Sequence, residues 1–326
     1  MPVAARLLAP CATVRRVSEP ELRPDSSYWL TCSHVCENVL IVAKTRGSPG
    51  LQIPQRGAST QGNEMSMRFC ILGSGSSGNC ALLQTEQTRV LVDAGFSARK
   101  TGQLLAAVGE SLEHIQAIFL THEHGDHAAA ISGLARYPQI KVFANAATAR
   151  VLQADLAFRV DWQLFETGTR FRFSDLEVQS FSVPHDAQEP VGFVFANGND
   201  DLLSPRRRLA WLTDLGHAPR HIQEHIREAD VVVVEANHCT DLLKADTKRP
   251  WSVKQRIGGR HGHLSNQSAR ELLQSVASPR WQQIYLTHLS RDCNSPEAVE
   301  RAFANTLSCP FSVVAAGGGT PFYNFP

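Results

Sequence analysis

The chain has 326 residues, of which 43% are hydrophobic and 19% charged, with a formal net charge of +1. That length holds one large domain or two small ones, with a sizeable core. The near-zero balance excludes a bulk electrostatic pull toward nucleic acid or anionic lipid, so any such partner must meet a local patch. No apolar run approaches the length needed to span a bilayer. Eight cysteines lie at spacings that form no disulfide framework, which suits a reducing cytoplasm.

Composition shifts near Met67. All fifteen phenylalanines and twelve of the thirteen histidines follow residue 66. Residues 1–66 alternate short apolar runs with Arg, Ser, Pro and Gly, as a disordered or weakly folded leader does. Met1 to Ser18 carries three arginines and no acidic residue, as in a transit peptide. The preferred reading is a mis-assigned start, with translation beginning at Met65 or Met67. Cys32-x-His34-x-Cys36 has no second ligand pair nearby, so a zinc site there is set aside.

From Arg68 onward strands alternate with helices. Arg68–Leu72 is the first expected strand, and Cys80–Gln84 pairs with Arg89–Asp93 as a hairpin around Glu86-Gln87-Thr88. A helix is expected over Ala98–Val108, a strand over Gln116–Thr121 and a helix over Ala128–Tyr137. Trp162 to Phe195 is mostly strand, followed by buried strands at Arg208–Thr213 and Asp230–Glu235. A helix begins near Ser265 or Ser268, the latter at capping-box spacing from Glu271. Another starts at Ser295-Pro296, with proline at the first helical position. This order argues for an α/β fold of two sheets with helices outside.

The densest chemistry lies in Thr121-His122-Glu123-His124-Gly125-Asp126-His127, directly after the apolar Ala117–Leu120. Neutral imidazole and carboxylate are ligands preferred by borderline divalent metals. In an extended segment His122 and His124 project to one side and can share a metal. A sharp turn at Gly125 would aim Asp126 and His127 at a neighbouring position. Two adjacent metals need more ligands, and three candidates sit where apolar runs give way to loops: His185, Asp214 and His288. A carboxylate such as Asp214 can bridge two cations.

Asp93 at a strand end, His-x-His-x-Asp-His, then His185, Asp214 and His288 together resemble the metallo-β-lactamase superfamily across residues 68–300. The resemblance implies a four-layer αββα sandwich binding one or two metals at one edge. It implies His122, His124 and His185 on metal one, Asp126, His127 and His288 on metal two, and Asp214 between them. Asp93 is then a partner that orients ligands. Zinc suits this set, and manganese or iron tolerates it.

Four further stretches narrow the resemblance: Leu72–Asn79, Val183–Gly192, Glu235-Ala236-Asn237-His238 and Gly262–Asn266. They are similar to the YycJ/WalJ-like branch, regarded as 5′ to 3′ DNA exonucleases. The last two, with Leu286–Ser290, also resemble the tRNA 3′-processing endonucleases (tRNase Z). The branch usually has an acidic residue where this chain has Cys239. Only about seventy residues separate Asp214 from His288, too few for an inserted β-CASP cap, so residues 67–326 are expected to form a single domain.

The implied reaction is phosphodiester hydrolysis by a water shared between two divalent ions, whose coordination lowers its pKa. Asp126 belongs to that centre. His263 is the first choice of proton donor to the leaving oxygen, His238 the second, and Glu235 orients His263. Ser74, Ser76, Ser77 and Asn79 of the Ser/Gly loop are candidate contacts for a terminal phosphate, a tight turn being the equal alternative. Arg206–Arg208 and Lys248, Arg249, Lys254, Arg256 and Arg260 are further phosphate candidates, with a solvated surface as the alternative. The expected partner is nucleic acid, foremost DNA, in the cytoplasm, with no membrane. Competing expectations are a hydrolase of a thioester, lactone or cyclic phosphodiester, an RNA-processing endonuclease, and a non-catalytic scaffold.

Overall fold

Fourteen strands arise from the apolar runs in a computed structural model that describes residues 67–200 and 205–326. The leader, the internal start and the Cys32/His34/Cys36 group all fall outside the described residues. In chain order the strands are β1 (Arg68–Gly73), β2 (Cys80–Gln84), β3 (Arg89–Val92), β4 (Ala117–Phe119), β5 (Lys141–Asn145) and β6 (Trp162–Phe165). Then come β7 (Arg170–Phe173), β8 (Leu176–Ser182), β9 (Val191–Asp200), β10 (Pro205–Leu212) and β11 (Val231–Glu235). The last are β12 (Gln283–Thr287), β13 (Phe311–Val313) and β14 (Tyr323–Asn324).

One sheet runs β14-β1-β2-β3-β4-β5-β6 and the other β13-β12-β11-β10-β9-β8-β7. The expected β2–β3 hairpin forms, and β3 to β6 pair in parallel. In the second sheet β10 to β13 are parallel and β7 to β10 antiparallel. β11, with sequence VVVVE, is buried throughout, as a central parallel strand of β-branched residues should be.

Phe69, Phe119, Phe143, Phe193, Trp211 and Tyr285 belong to one buried cluster drawn from both sheets. Each such fully buried ring contributes on the order of 2 kcal/mol by leaving water. A second cluster packs Ile222, Ile226, Leu273 and Phe303 on the outer face of β10–β12, and a third packs Leu105, Ile131 and Leu134 on the first sheet. Helix, sheet, sheet, helix is the αββα arrangement that the sequence led one to expect.

Several boundaries differ. β5 and the helix Ala146–Ala154 are additions, as are the helices Arg220–Arg227, Thr240–Ala245 and Trp251–Ile257. Each is nine residues or fewer, too short to show a clear period. The helix expected from Ala128 begins at Gly125 and becomes 3₁₀ over Ala129–Arg136. The helix Asn266–Val276 is capped by Ser265, whose Oγ accepts from Ser268 N at 3.1 Å, so the Ser268/Glu271 box is not its start. Among the described residues no helix is long and apolar enough to cross a membrane.

Candidate metal centre

Strand ends supply the site. Asp93 follows β3, Asp214 follows β10 and His288 follows β12, each with φ between +55° and +58°. Left-handed backbone is uncommon for non-glycine residues, and it turns these side chains out of the sheet direction. His288 is held further by two contacts. Its N–H donates to Ser74 Oγ at 2.8 Å, and its carbonyl accepts from Asn237 Nδ2 at 2.9 Å.

After β4 the chain bends through Thr121 to His124. Asp93 Oδ1 accepts from Thr121 N at 2.8 Å and from Thr121 Oγ1 at 3.0 Å. His124 then caps the short helix Gly125–Ala128, its carbonyl accepting from His127 N and Ala128 N. This corrects the role expected of Gly125, which opens a helical turn and has no positive φ. Beside this turn the geometry does require a glycine at Gly95, where a Cβ would lie 1.7 Å from Asp126 O.

All seven expected ligands converge. Ligand atoms of His122, His124 and His185 lie within 4.8 Å of one another, as do those of Asp126, His127 and His288. Asp214 joins His122 and His127 in a third group, and Glu235, His263 and His288 in a fourth. Cys239 belongs to none of them. His127 Nδ1 donates to Asp93 Oδ2 at 2.8 Å and His185 Nδ1 to Gly262 O at 3.0 Å, which turns each Nε2 toward the cluster. Glu235, fully buried at the end of β11, ties several parts together. Its Oε1 accepts from Leu215 N and Leu264 N, both at 2.8 Å, and its Oε2 from His263 Nδ1 at 3.0 Å and His288 Nδ1 at 3.2 Å.

The electrostatics are those of a compensated buried cluster. Burial opposes charge on His127, but Asp214 and Asp93 push its pKa up to about 10. Burial also opposes charge on His288, and Asp214, Asp126 and Glu235 raise it well above the ordinary imidazole value. Glu235 is held down to about 2 against its own burial, chiefly by His263 and His288. Burial lowers His122 and His185, so those two rings stay neutral and ready to ligate.

The donor set fits divalent cations on independent grounds. His122 Nε2, His288 Nε2 and Asp214 Oδ2 are buried without a hydrogen-bond partner. Orphaned buried polar atoms cost about 1–3 kcal/mol each, a cost that coordination removes. Asp214 Oδ2 lies 2.7 Å from His127 Nε2 yet outside hydrogen-bond geometry, as two atoms converging on a common ligand would be.

The remaining candidates separate. A cavity of about 280 Å³ opens over the cluster, lined by Ser76, His124, Asp126, Asp214, His263 and His288 among others. Ser74 and Asn79 are buried and bonded internally, to His288 N and to Gly75 N respectively, so this half of the Ser/Gly loop positions the site. Ser76 and Ser77 are exposed. His238 lies outside this cavity, 3% exposed, with burial lowering its pKa to about 4. Arg206 and Arg208 are ion-paired with Glu177 and Glu228 near the start of β10. About 20 Å of extended strand separates Arg206 from Leu212, with Asp214 beyond, so those arginines do not reach the cluster. Sequence reasoning gave no role to Thr121, Asn237 or Asp186, the last of which pairs at the rim with the phosphate candidate Arg256. The first two are polar residues beside ligands or strand ends, the only signal they offered.

A family model described as Beta-lactamase superfamily domain matches residues 88–289. The exodeoxyribonuclease YycJ of Bacillus anthracis is 34% identical over 250 residues, spanning 74% of this chain and 90% of that one. The exodeoxyribonuclease WalJ of Streptococcus pneumoniae serotype 2 (strain D39 / NCTC 7466) is likewise 34% identical over 250 residues, spanning 76% and 90%. Human tRNase Z, short form, shares the fold with a TM-score of 0.53 at 17% identity, over 78% of this chain and 98% of that one. Aligned with relatives along most of its length, and with histidines and carboxylates gathered at the strand ends, the chain belongs to the β-lactamase superfamily and is a metal-dependent hydrolase of the metallo-β-lactamase fold.

Proposed function

We propose that the protein is a binuclear phosphodiesterase that degrades DNA from its 5′ end. The observation that carries this is the convergence of seven side chains from four separated stretches into two three-residue groups, with Asp214 within reach of both. His122, His124 and His185 would hold one cation, and Asp126, His127 and His288 the other, with zinc favoured and manganese tolerated. Bound there, the cations acidify water and neutralise charge on a phosphoryl group. The chain's own part is positioning and proton transfer. Asp93 fixes the His127 tautomer. Glu235 accepts a hydrogen bond from His263 Nδ1–H, which leaves Nε2 to deliver a proton to the departing oxygen. Ser76 offers an exposed hydroxyl at the rim. DNA enters through the relatives, both named exodeoxyribonucleases.

The described segment from Asp214 to His288 is taken up by four helices and two strands, which supports a single catalytic domain without an inserted cap. The test is digestion of linear DNA by chelator-treated protein after zinc or manganese is restored. Cleavage that falls steeply with ionic strength supports a phosphate-backbone substrate. Salt-independent turnover of a thioester or lactone, with DNA left intact, overturns the reading.

Two consequences are measurable on the protein itself. Asp93→Asn should weaken metal affinity about 10- to 100-fold, read by competition with a chromophoric chelator, because the ring it orients loses its acceptor. Zinc at about 100 times its dissociation constant should add about 2.7 kcal/mol to the folded state. For a domain of this size that raises Tm by about 5–10 °C in a thermal melt.

A further inference from the structure

A second cavity, about 460 Å³, shares His263 with the first as a lining residue. It is lined by His238, Thr240, Lys244, Trp251, Ser265 and Ser268, with Lys254 beside them. Unlike the metal cavity, it has no carboxylate among the described residues that line it. Trp251 is 65% exposed, an aromatic plate of the kind on which bases stack. At another part of the wall Ser265 and Ser268 stand at the N-terminus of the eleven-residue helix Asn266–Val276, where anions are favoured. Independently, His238 is 3% exposed and lines this cavity, and its Nδ1 is buried without a hydrogen-bond partner.

We propose that this cavity holds one 5′-phosphorylated terminal nucleotide, its base on Trp251 and its phosphate near Lys244, His238 and the two serines. The inference rests on the phosphodiesterase reading above. His263 protonates the leaving oxygen, so space beyond it belongs to the leaving fragment. The volume lies within the about 300–1,000 Å³ of pockets that enclose a single small ligand, which matches one nucleotide. In the step, water oxygen bonds to the phosphorus joining the first two nucleotides and the P–O3′ bond breaks. O3′ takes the electron pair and a proton from His263, which is reprotonated by the attacking water. The products are a nucleoside 5′-monophosphate and a strand that again begins with a 5′-phosphate.

The experiment compares one single-stranded DNA sequence with a 5′-phosphate, with a 5′-hydroxyl and as a closed circle. Bis(p-nitrophenyl) phosphate, which has no strand end, is assayed in parallel with the zinc- or manganese-loaded protein. The expected result is kcat/KM about tenfold higher for the phosphorylated end, mononucleotide as first product, and an intact circle. Lys244→Ala should bring the phosphate-to-hydroxyl ratio close to one, and Lys244→Arg should restore it. Trp251→Ala should raise KM about tenfold for both linear substrates, with folding of every variant checked by thermal melting. Equal rates on both ends, cleavage of the circle, or an unchanged ratio in folded Lys244→Ala overturns the pocket. If that happens while the small diester is still hydrolysed, the metal-dependent phosphodiesterase stands. Loss of both activities in the wild-type protein overturns both.

Discussion

Asp214→Asn is expected to lower kcat/KM on linear DNA by about a thousandfold or more, which corresponds to about 4 kcal/mol of lost transition-state stabilisation. Asp214 lies in one ligand group with His122 and His127 and in another with His288. Its carboxylate is held charged well below the usual range: burial opposes this, but His288 and His127 outweigh burial. Asparagine keeps the size and removes the negative charge that both cations would share. Metal content should fall from two equivalents to one or fewer, measured by atomic emission on protein whose circular dichroism is unchanged. Full metal content and full activity in the variant would remove Asp214 from the centre.

His263→Ala should cost about 10²- to 10⁴-fold in kcat on DNA, the usual contribution of a positioned proton donor. The same variant should lose less than about tenfold on bis(p-nitrophenyl) phosphate, because p-nitrophenolate departs without a proton. That contrast separates proton delivery from a structural role, since a disturbed metal centre would slow both substrates alike. The geometry motivates the test. His263 lines both cavities, and its Nδ1 is 3.0 Å from Glu235 Oε2. Equal losses on the two substrates would assign His263 to support of Glu235 and His288.

Much of this site was legible in the chain because ligand chemistry is local. The stretch His122 to His127 announces metal binding by composition, and His185, Asp214 and His288 follow apolar runs that become β8, β10 and β12. The two-sheet architecture was equally legible, since continuous apolar strands such as β11 need cover on both faces. Gly125 misled because a glycine after alternating ligands suits a tight turn as well as a helix start. Choosing between them depended on the hydrogen bonds from His127 N and Ala128 N to His124 O.

What the amino-acid order determined alone is the set of candidate ligands and the strands that carry them, both read from neighbours a few residues apart. Tertiary structure decided how the polar residues divide their work. Ser74 serves His288 across 214 positions, Glu235 reaches His288 across 53, and His238 faces a cavity apart from the metal cluster. A hydroxyl or imidazole has the same donors and acceptors wherever it stands in a sequence. Which of them it uses depends on the strand pairing that brings distant strand ends together and excludes water from between them.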